Sequence, residues 1–237
     1  MKKSFKIGSA LLALGWTLPH IPSVSFPAMN GTALAAAAVP ADSALSLKFE
    51  GNVTDSSSAL TPVSAAGSPT YTAGRVGSAI EFKTAGQYLN LGKTANTTFG
   101  SATDYTVAFW MQSSGVTGDP VIIGNKNWAS GANTGWIVSL QSNGSLKWNY
   151  TPSVQTRTDV TIPGVADGSW HYIAITHDRN GSAKFYKDAQ MVSSVSIAAK
   201  QGSIDTTSNT NIGQDGTGAY GYALKAKLVD GTAVGLK

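Results

Sequence analysis

Few side chains in this sequence could carry chemistry. Its 13 acids are 11 Asp and two Glu, Glu50 and Glu81. Retaining cleavage of a glycosidic bond needs a nucleophile and an acid about 5 Å apart. Glu50 precedes a turn, Glu81 lies inside a short strand, and no Asp pair stands at alternate positions of a central strand. The chain is therefore predicted not to be an enzyme. It has no Cys, which excludes a thiol nucleophile, a disulfide framework and a thiolate zinc site. His171 and His177 share one face of a predicted strand. Six residues of strand separate them by roughly 20 Å, too far for one metal, so packing and local hydrogen bonds are expected of both. The segment Gly216-Thr217-Gly218-Ala219-Tyr220-Gly221 matches G-x-G-x-x-G but opens no helix, so it reads as a turn rather than a phosphate cradle. Two groups remain. Glu50, Asn52 and Asp55 put oxygen ligands of the kind Ca²⁺ takes into one turn-rich segment; a polar turn that satisfies its own backbone is the competing reading. The Gly- and Asn-rich loop from Gly124 to Gly135 carries Asn125, Lys126, Asn127, Trp128 and Asn133. A flat aromatic face with planar amides suits sugar hydroxyls. Trp148 and Tyr150 extend that surface if their strand face is open, and belong to the core if it is not.

The elements that must position these groups are strands. With two Glu among 26 Gly and many Ser and Thr, the composition is poor for helices and good for strands and turns. Period-two alternation runs through Leu45, Leu47 and Phe49, through Tyr105 to Gln112, Trp136 to Leu140, Leu146 to Tyr150, and Trp170 to His177. Both faces of Tyr105–Gln112 are largely apolar, which predicts a central strand covered on both sides. Asn143-Gly144 marks a hairpin. About a dozen strands and no amphipathic helix predict an all-β fold of two antiparallel sheets packed face to face, a jelly-roll sandwich. Residues 1–38 read as a secretory signal peptide: Lys2, Lys3 and Lys6, an apolar run from Ile7 to Leu18, then an Ala-rich tract ending at Ala38. The run is too short for a stable membrane span. Removing this leader takes three Lys and no acid, so the net charge falls from +4 to +1. The basic balance thus speaks for export and against a nucleic-acid partner. Secretion without Cys predicts a bacterial extracellular setting.

Several blocks then carry a resemblance. Leu47-Lys48-Phe49-Glu50-Gly51-Asn52 with Asp55-Ser56-Ser57, and Gly74-Arg75-Val76-Gly77-Ser78-Ala79-Ile80-Glu81-Phe82, are similar to the first two motifs of laminin-G-like (concanavalin A-like lectin/glucanase) jelly rolls. Tyr105-Thr106-Val107-Ala108-Phe109-Trp110-Met111 resembles their central strand. Asp167-Gly168-Ser169-Trp170-His171-Tyr172, Phe185-Tyr186-Lys187-Asp188 and Asn211-Ile212-Gly213 follow in the family's order. The resemblance implies one domain over residues 39–228, of the type attached to secreted bacterial hydrolases. It implies a structural calcium linking Glu50, Asn52 and Asp55 to an acid of the closing strand, for which Asp230 is the candidate. Glucan-cutting relatives carry their acids as E-x-D-x-x-E, which neither Glu heads. Residues 229–237 depart from the usual closing strand, so that strand is expected to be missing and the chain to be the N-terminal part of a larger hydrolase. The expected function is a secreted, non-catalytic module that binds a glycan or another extracellular surface. The alternatives are a polysaccharide-cutting hydrolase of the same class and a purely structural or adhesive domain.

Overall fold

A computed structural model describes residues 43–153 and 156–235, with side chains in the last strand described through Val229. The predicted signal peptide lies outside the described residues. Among the described residues every regular element is a strand. β1 (Ser64–Ala66), β2 (Thr70–Ala73), β3 (Ser78–Phe82) and β4 (Tyr88–Asn90) are short. β5 (Tyr105–Gln112), β6 (Val121–Gly124), β7 (Gly135–Leu140), β8 (Leu146–Thr151) and β9 (Thr158–Ile162) follow. β10 (Trp170–His177), β11 (Ser182–Lys187), β12 (Gln190–Ser196), β13 (Asn211–Ile212) and β14 (Ala226–Gly235) complete the chain order. They form two seven-stranded antiparallel sheets, β1-β4-β13-β6-β7-β8-β9 and β12-β11-β10-β5-β14-β3-β2. Among the described residues no helix is long and apolar enough to cross a membrane.

The alternation decides which side chains meet between the sheets. Tyr105, Val107, Phe109 and Met111 of β5 enter the core with Ile173 and Ile175 of β10, and Trp136, Trp148 and Tyr150 come from the facing sheet. The other face of β5 is covered too, as its composition predicts. Trp110 packs with Ala79 and Val229 under the half-buried Trp170 and Tyr172, and the Arg75 guanidinium lies 5.5 Å from the Trp110 ring. The Asn143-Gly144 hairpin joins β7 to β8, with Gly144 at φ 78 and its N–H donating to Gln141 O at 2.9 Å; a non-glycine residue there would strain the backbone.

Two expectations need correction. The closing strand is present: β14 pairs with β3 on one side and β5 on the other, so it is interior to its sheet and crosses the expected boundary at residue 228. Val229 faces Trp110 and Thr232 faces Ala108, so three steps on β14 match two on β5. The turn-like Asp230-Gly231 that suggested a tail is absorbed as a bulge. At the other end, Leu45, Leu47 and Phe49 are buried in the core, yet among the described residues the segment's strand pairing is the isolated bridge Leu47↔Asp55. Phe49 sits at φ 60, in the left-handed region, which ends an extended run.

Candidate functional site

The loop between β6 and β7 brings together five of the seven residues expected to bind a ligand. Asn125 anchors its start: Oδ1 accepts from Trp136 N at 3.0 Å and Nδ2 donates to Ile204 O at 2.9 Å. Asn127 Oδ1 accepts from Ala129 N, and Asn133 Nδ2 donates to Asn127 O at 2.8 Å. Lys126 does not reach solvent. Its stem turns under the loop, and its fully buried Nζ donates to Gly131 O and Thr151 Oγ1, each at 3.0 Å, and to Asn149 Oδ1. Asn149 Nδ2 in turn donates to Asp159 Oδ1 at 2.6 Å, and Asp159 pairs with Arg157 at 3.2 Å. Burial without a contacting carboxylate pushes the Lys126 ammonium down to about 7, against the opposing pull of Asp159. This lysine holds the loop from below.

Trp128 is 7% exposed and packs on Val121 and Ile137. Its N–H donates to Asp215 Oδ2 at 2.9 Å, and its indole Nε1 donates to Asp119 O at 3.1 Å. It is a floor, not a platform. The aromatic rings above it come from the glycine-rich segment read as a turn. Gln214 Oε1 accepts from Asp215 N and Tyr220 N, while Asp215 Oδ1 accepts from Thr217 N, Thr217 Oγ1 and Gly218 N. These bonds curl residues 214–220 over the loop. Gly216 is required there, since a Cβ would stand 2.6 Å from Asn125 O. Tyr220 lands on the Trp128 cluster and its hydroxyl donates to Asp119 Oδ1 at 2.5 Å. Burial first, then that carboxylate, raise the phenol above its usual range. Tyr222 stands edge-on to Tyr220, with centroids 5.6 Å apart and planes at 67°. Its ring lies against Gly118, where a Cβ would come within 2.5 Å of it, and it remains 44% exposed.

The surface here exposes Tyr222 and part of Tyr220, which bonds the Asp119 carboxylate, and Asn127 of the loop and Thr217 of the overlying turn are exposed as well. The sequence reading missed Asp119, Tyr220 and Tyr222, although an aromatic pair inside a Gly-rich segment was a visible signal. Trp148 and Tyr150 do not join the patch. Both are 0% exposed in the core, because their face of β8 is the one turned toward the other sheet.

The residues considered for calcium do not make a cage among the described side chains. Asp55 is buried and accepts from Ser46 N, Ser57 N, Ser57 Oγ and Thr61 N at 2.7–2.9 Å. Asn52 Oδ1 accepts from Thr54 N, and both Glu50 oxygens accept from Ser78 N. No cluster of three His, Cys, Asp or Glu suited to a metal occurs among the described residues, and the Asp230 side chain lies outside them. Glu81 pairs with Lys83 at 2.9 Å. The histidines take local partners, as expected: His171 bonds Asp188 and Asp167 at 2.7 and 3.1 Å, and His177 bonds Trp148 and Tyr105.

With the geometry in place, comparison places the chain among known proteins. Residues 83–231 match the model of the concanavalin A-like lectin/glucanases superfamily family Laminin_G_3. No curated protein matches in sequence. Among solved structures, the binding domain of Paraclostridial Mosquitocidal Protein 1 is 17% identical with a TM-score of 0.68, over 83% of this chain and 50% of that one. The botulinum neurotoxin serotype G binding domain is 14% identical with a TM-score of 0.63, over 81% and 47%. The serotype D ligand binding domain in complex with N-acetylneuraminic acid is 13% identical with a TM-score of 0.61, over 83% and 48%. The chain thus spans about half the length of each. At these identities the likeness is one of fold.

Proposed function

The chain belongs to the concanavalin A-like lectin/glucanases superfamily, and from that premise we propose that it is a secreted, non-catalytic module that binds carbohydrate on an extracellular surface. The observation that carries the reading is the patch over Trp128. Tyr222 offers a partly exposed ring face, Tyr220 stands edge-on to it with planes at 67°, the Asp119 carboxylate holds the Tyr220 hydroxyl, and Asn127, next to Trp128 in the loop, adds an exposed amide. Sugars bind by stacking a C–H face on an aromatic ring while planar polar groups take their hydroxyls, and a few such groups beside apolar surface fix orientation. Export rests on the leader-like residues 1–38, and attachment to a secreted hydrolase on the motif resemblance. The binding-domain neighbours lend the module reading support at the level of fold.

The test is a glycan array probed with the purified domain and with Tyr222→Ala. Among the described residues the Tyr222 side chain forms no hydrogen bond and it is 44% exposed, so the variant keeps its melting temperature and loses at least tenfold in binding. Absence of binding to every glycan, or equal binding by the variant, would sink the proposal. Release of sugar from a polysaccharide, abolished by Glu50→Gln or Glu81→Gln, would replace it with the hydrolase reading.

A further inference from the structure

The tyrosine surface has a charge as well as a shape, and the charge narrows its ligand. Gly118 and Asp119 lie in the loop between β5 and β6. Gly118, at φ 72, packs against the Tyr222 ring, where a Cβ would stand 2.5 Å away. Asp119, the next residue, accepts the Tyr220 hydroxyl through Oδ1 at 2.5 Å. Tyr220 in turn meets Tyr222 edge-on, with ring centroids 5.6 Å apart. These three contacts hold one carboxylate beside two aromatic rings. Asp119 is partly exposed, and its Oδ2 takes no hydrogen bond among the described residues.

The surroundings add negative charge and no positive charge to match it. Asp215 is buried beneath the turn, bonded to Trp128 N, Thr217 and Gly218 N. Among the described residues neither acid pairs with Lys, Arg or His. Lys126, in the same loop as Trp128, spends its ammonium on Gly131 O, Asn149 and Thr151. Lys225 is exposed three residues past Tyr222 and pairs with neither acid. The Tyr220 phenol reports the balance: burial raises it most, Asp119 next, then Tyr222 and Asp215, and no cation draws it back.

An aromatic face attracts a cation through its ring quadrupole. A carboxylate nearby attracts the same cation and repels an anion. A sugar stacked on Tyr222 meets both groups favourably when it carries an ammonium. We propose that this surface selects sugars with a free, protonated amine over their N-acetylated and acidic counterparts. The inference rests on the carbohydrate reading of this surface and adds the charge of the ligand to it. Tyr222 supplies the stacking face, Asp119 Oδ2 receives the ammonium, and the Tyr220 hydroxyl fixes the carboxylate. The selection is opposite in sign to the N-acetylneuraminic acid in the serotype D neighbour, whose likeness to this chain is one of fold.

The test is calorimetric titration of the chain at about pH 6 with three oligosaccharides: a glucosamine oligomer, its fully N-acetylated form, and an N-acetylneuraminic acid-terminated glycan. The amine oligomer should bind at least fivefold more tightly than the acetylated one, and the acidic glycan most weakly. Asp119→Asn keeps an acceptor for the Tyr220 hydroxyl and removes the charge, so the ratio of amine to acetylated affinity should fall to about one. The same ratio in wild type should shrink as salt is raised, because salt screens an exposed charge; that measurement decides the matter if the variant does not fold. Equal affinities for the amine and acetylated oligomers, tighter binding of the acidic glycan, or a ratio indifferent to both salt and Asp119→Asn would overturn the inference. With binding still lost in Tyr222→Ala, any of these results leaves the carbohydrate reading standing. Absence of binding to all three overturns the inference, and Tyr222→Ala binding as wild type does sinks the reading beneath it.

Discussion

The buried Lys126 makes the stability of this domain depend on pH in an unusual direction. Its ammonium is charged in the unfolded chain up to about pH 10.5, but in the folded chain burial lowers its pKa to about 7. Below pH 7 both states carry the proton, and folding bears the full cost of burying the charge. Between pH 7 and 10.5 the unfolded state holds one proton more, so folding becomes more favourable as pH rises. One proton is worth at most about 1.4 kcal/mol per pH unit, so raising the pH from 7.5 to 9.5 adds about 2–3 kcal/mol from this residue alone. For a domain of this size that is a rise of roughly 5–10 °C in melting temperature. Thermal unfolding followed by circular dichroism, in wild type and Lys126→Met across pH 6 to 10, isolates the effect, because other titrating groups are common to both. The difference between the two curves should slope upward through pH 7.5–9.5 and flatten at the ends. Parallel curves would refute the reasoning and mean that the ammonium keeps an ordinary affinity for its proton, satisfied by Gly131 O, Asn149 and Thr151.

Three further outcomes are expected. His177 is buried and neutral, its pKa lowered to about 3 chiefly by burial and secondarily by Arg179; the unfolded state therefore binds more protons between pH 6.5 and 3, and stability falls as pH drops through that window. In His177→Gln that acid slope should be shallower by up to one proton's worth, read from urea midpoints at pH 4 and 6.5. Asp55→Ala strips four donors of their shared acceptor and should cost about 3–5 kcal/mol, seen as a lowered urea midpoint. Because those oxygens are already taken, adding Ca²⁺ or a chelator should leave the wild-type melting temperature unchanged; a calcium-dependent rise would show that Glu50, Asn52 and Asp55 rearrange around the ion.

What the sequence disclosed and what it hid follow from the range of the interactions involved. Period-two alternation reports burial, and on that it was right along β5 and β10, where Val107, Ile173 and Ile175 point inward and Trp110 and Tyr172 outward. Alternation does not report pairing. Leu45, Leu47 and Phe49 satisfy it fully yet make one bridge, because pairing needs a neighbour and an extended Phe49, and neither is written in the apolar pattern. β14 failed in the opposite sense: Asp230-Gly231 breaks the local pattern, but two flanking strands supply the hydrogen bonds that carry it through as a bulge. The site shows the same division. Asn125, Lys126, Asn127, Trp128 and Asn133 are neighbours in sequence, so their loop could be read. Whether Trp128 is a platform or a floor depends on Asp215 and Tyr220, more than 80 residues away. That ordering also gives the tyrosine patch its consequence for mutation. Lys126, Trp128 and Asp215 are so committed to bonds below the surface that replacing them should cost stability before affinity. Tyr222, which contributes a face and no bond, should do the reverse. A binding defect that tracks melting temperature across these four positions would place the ligand elsewhere on the sandwich.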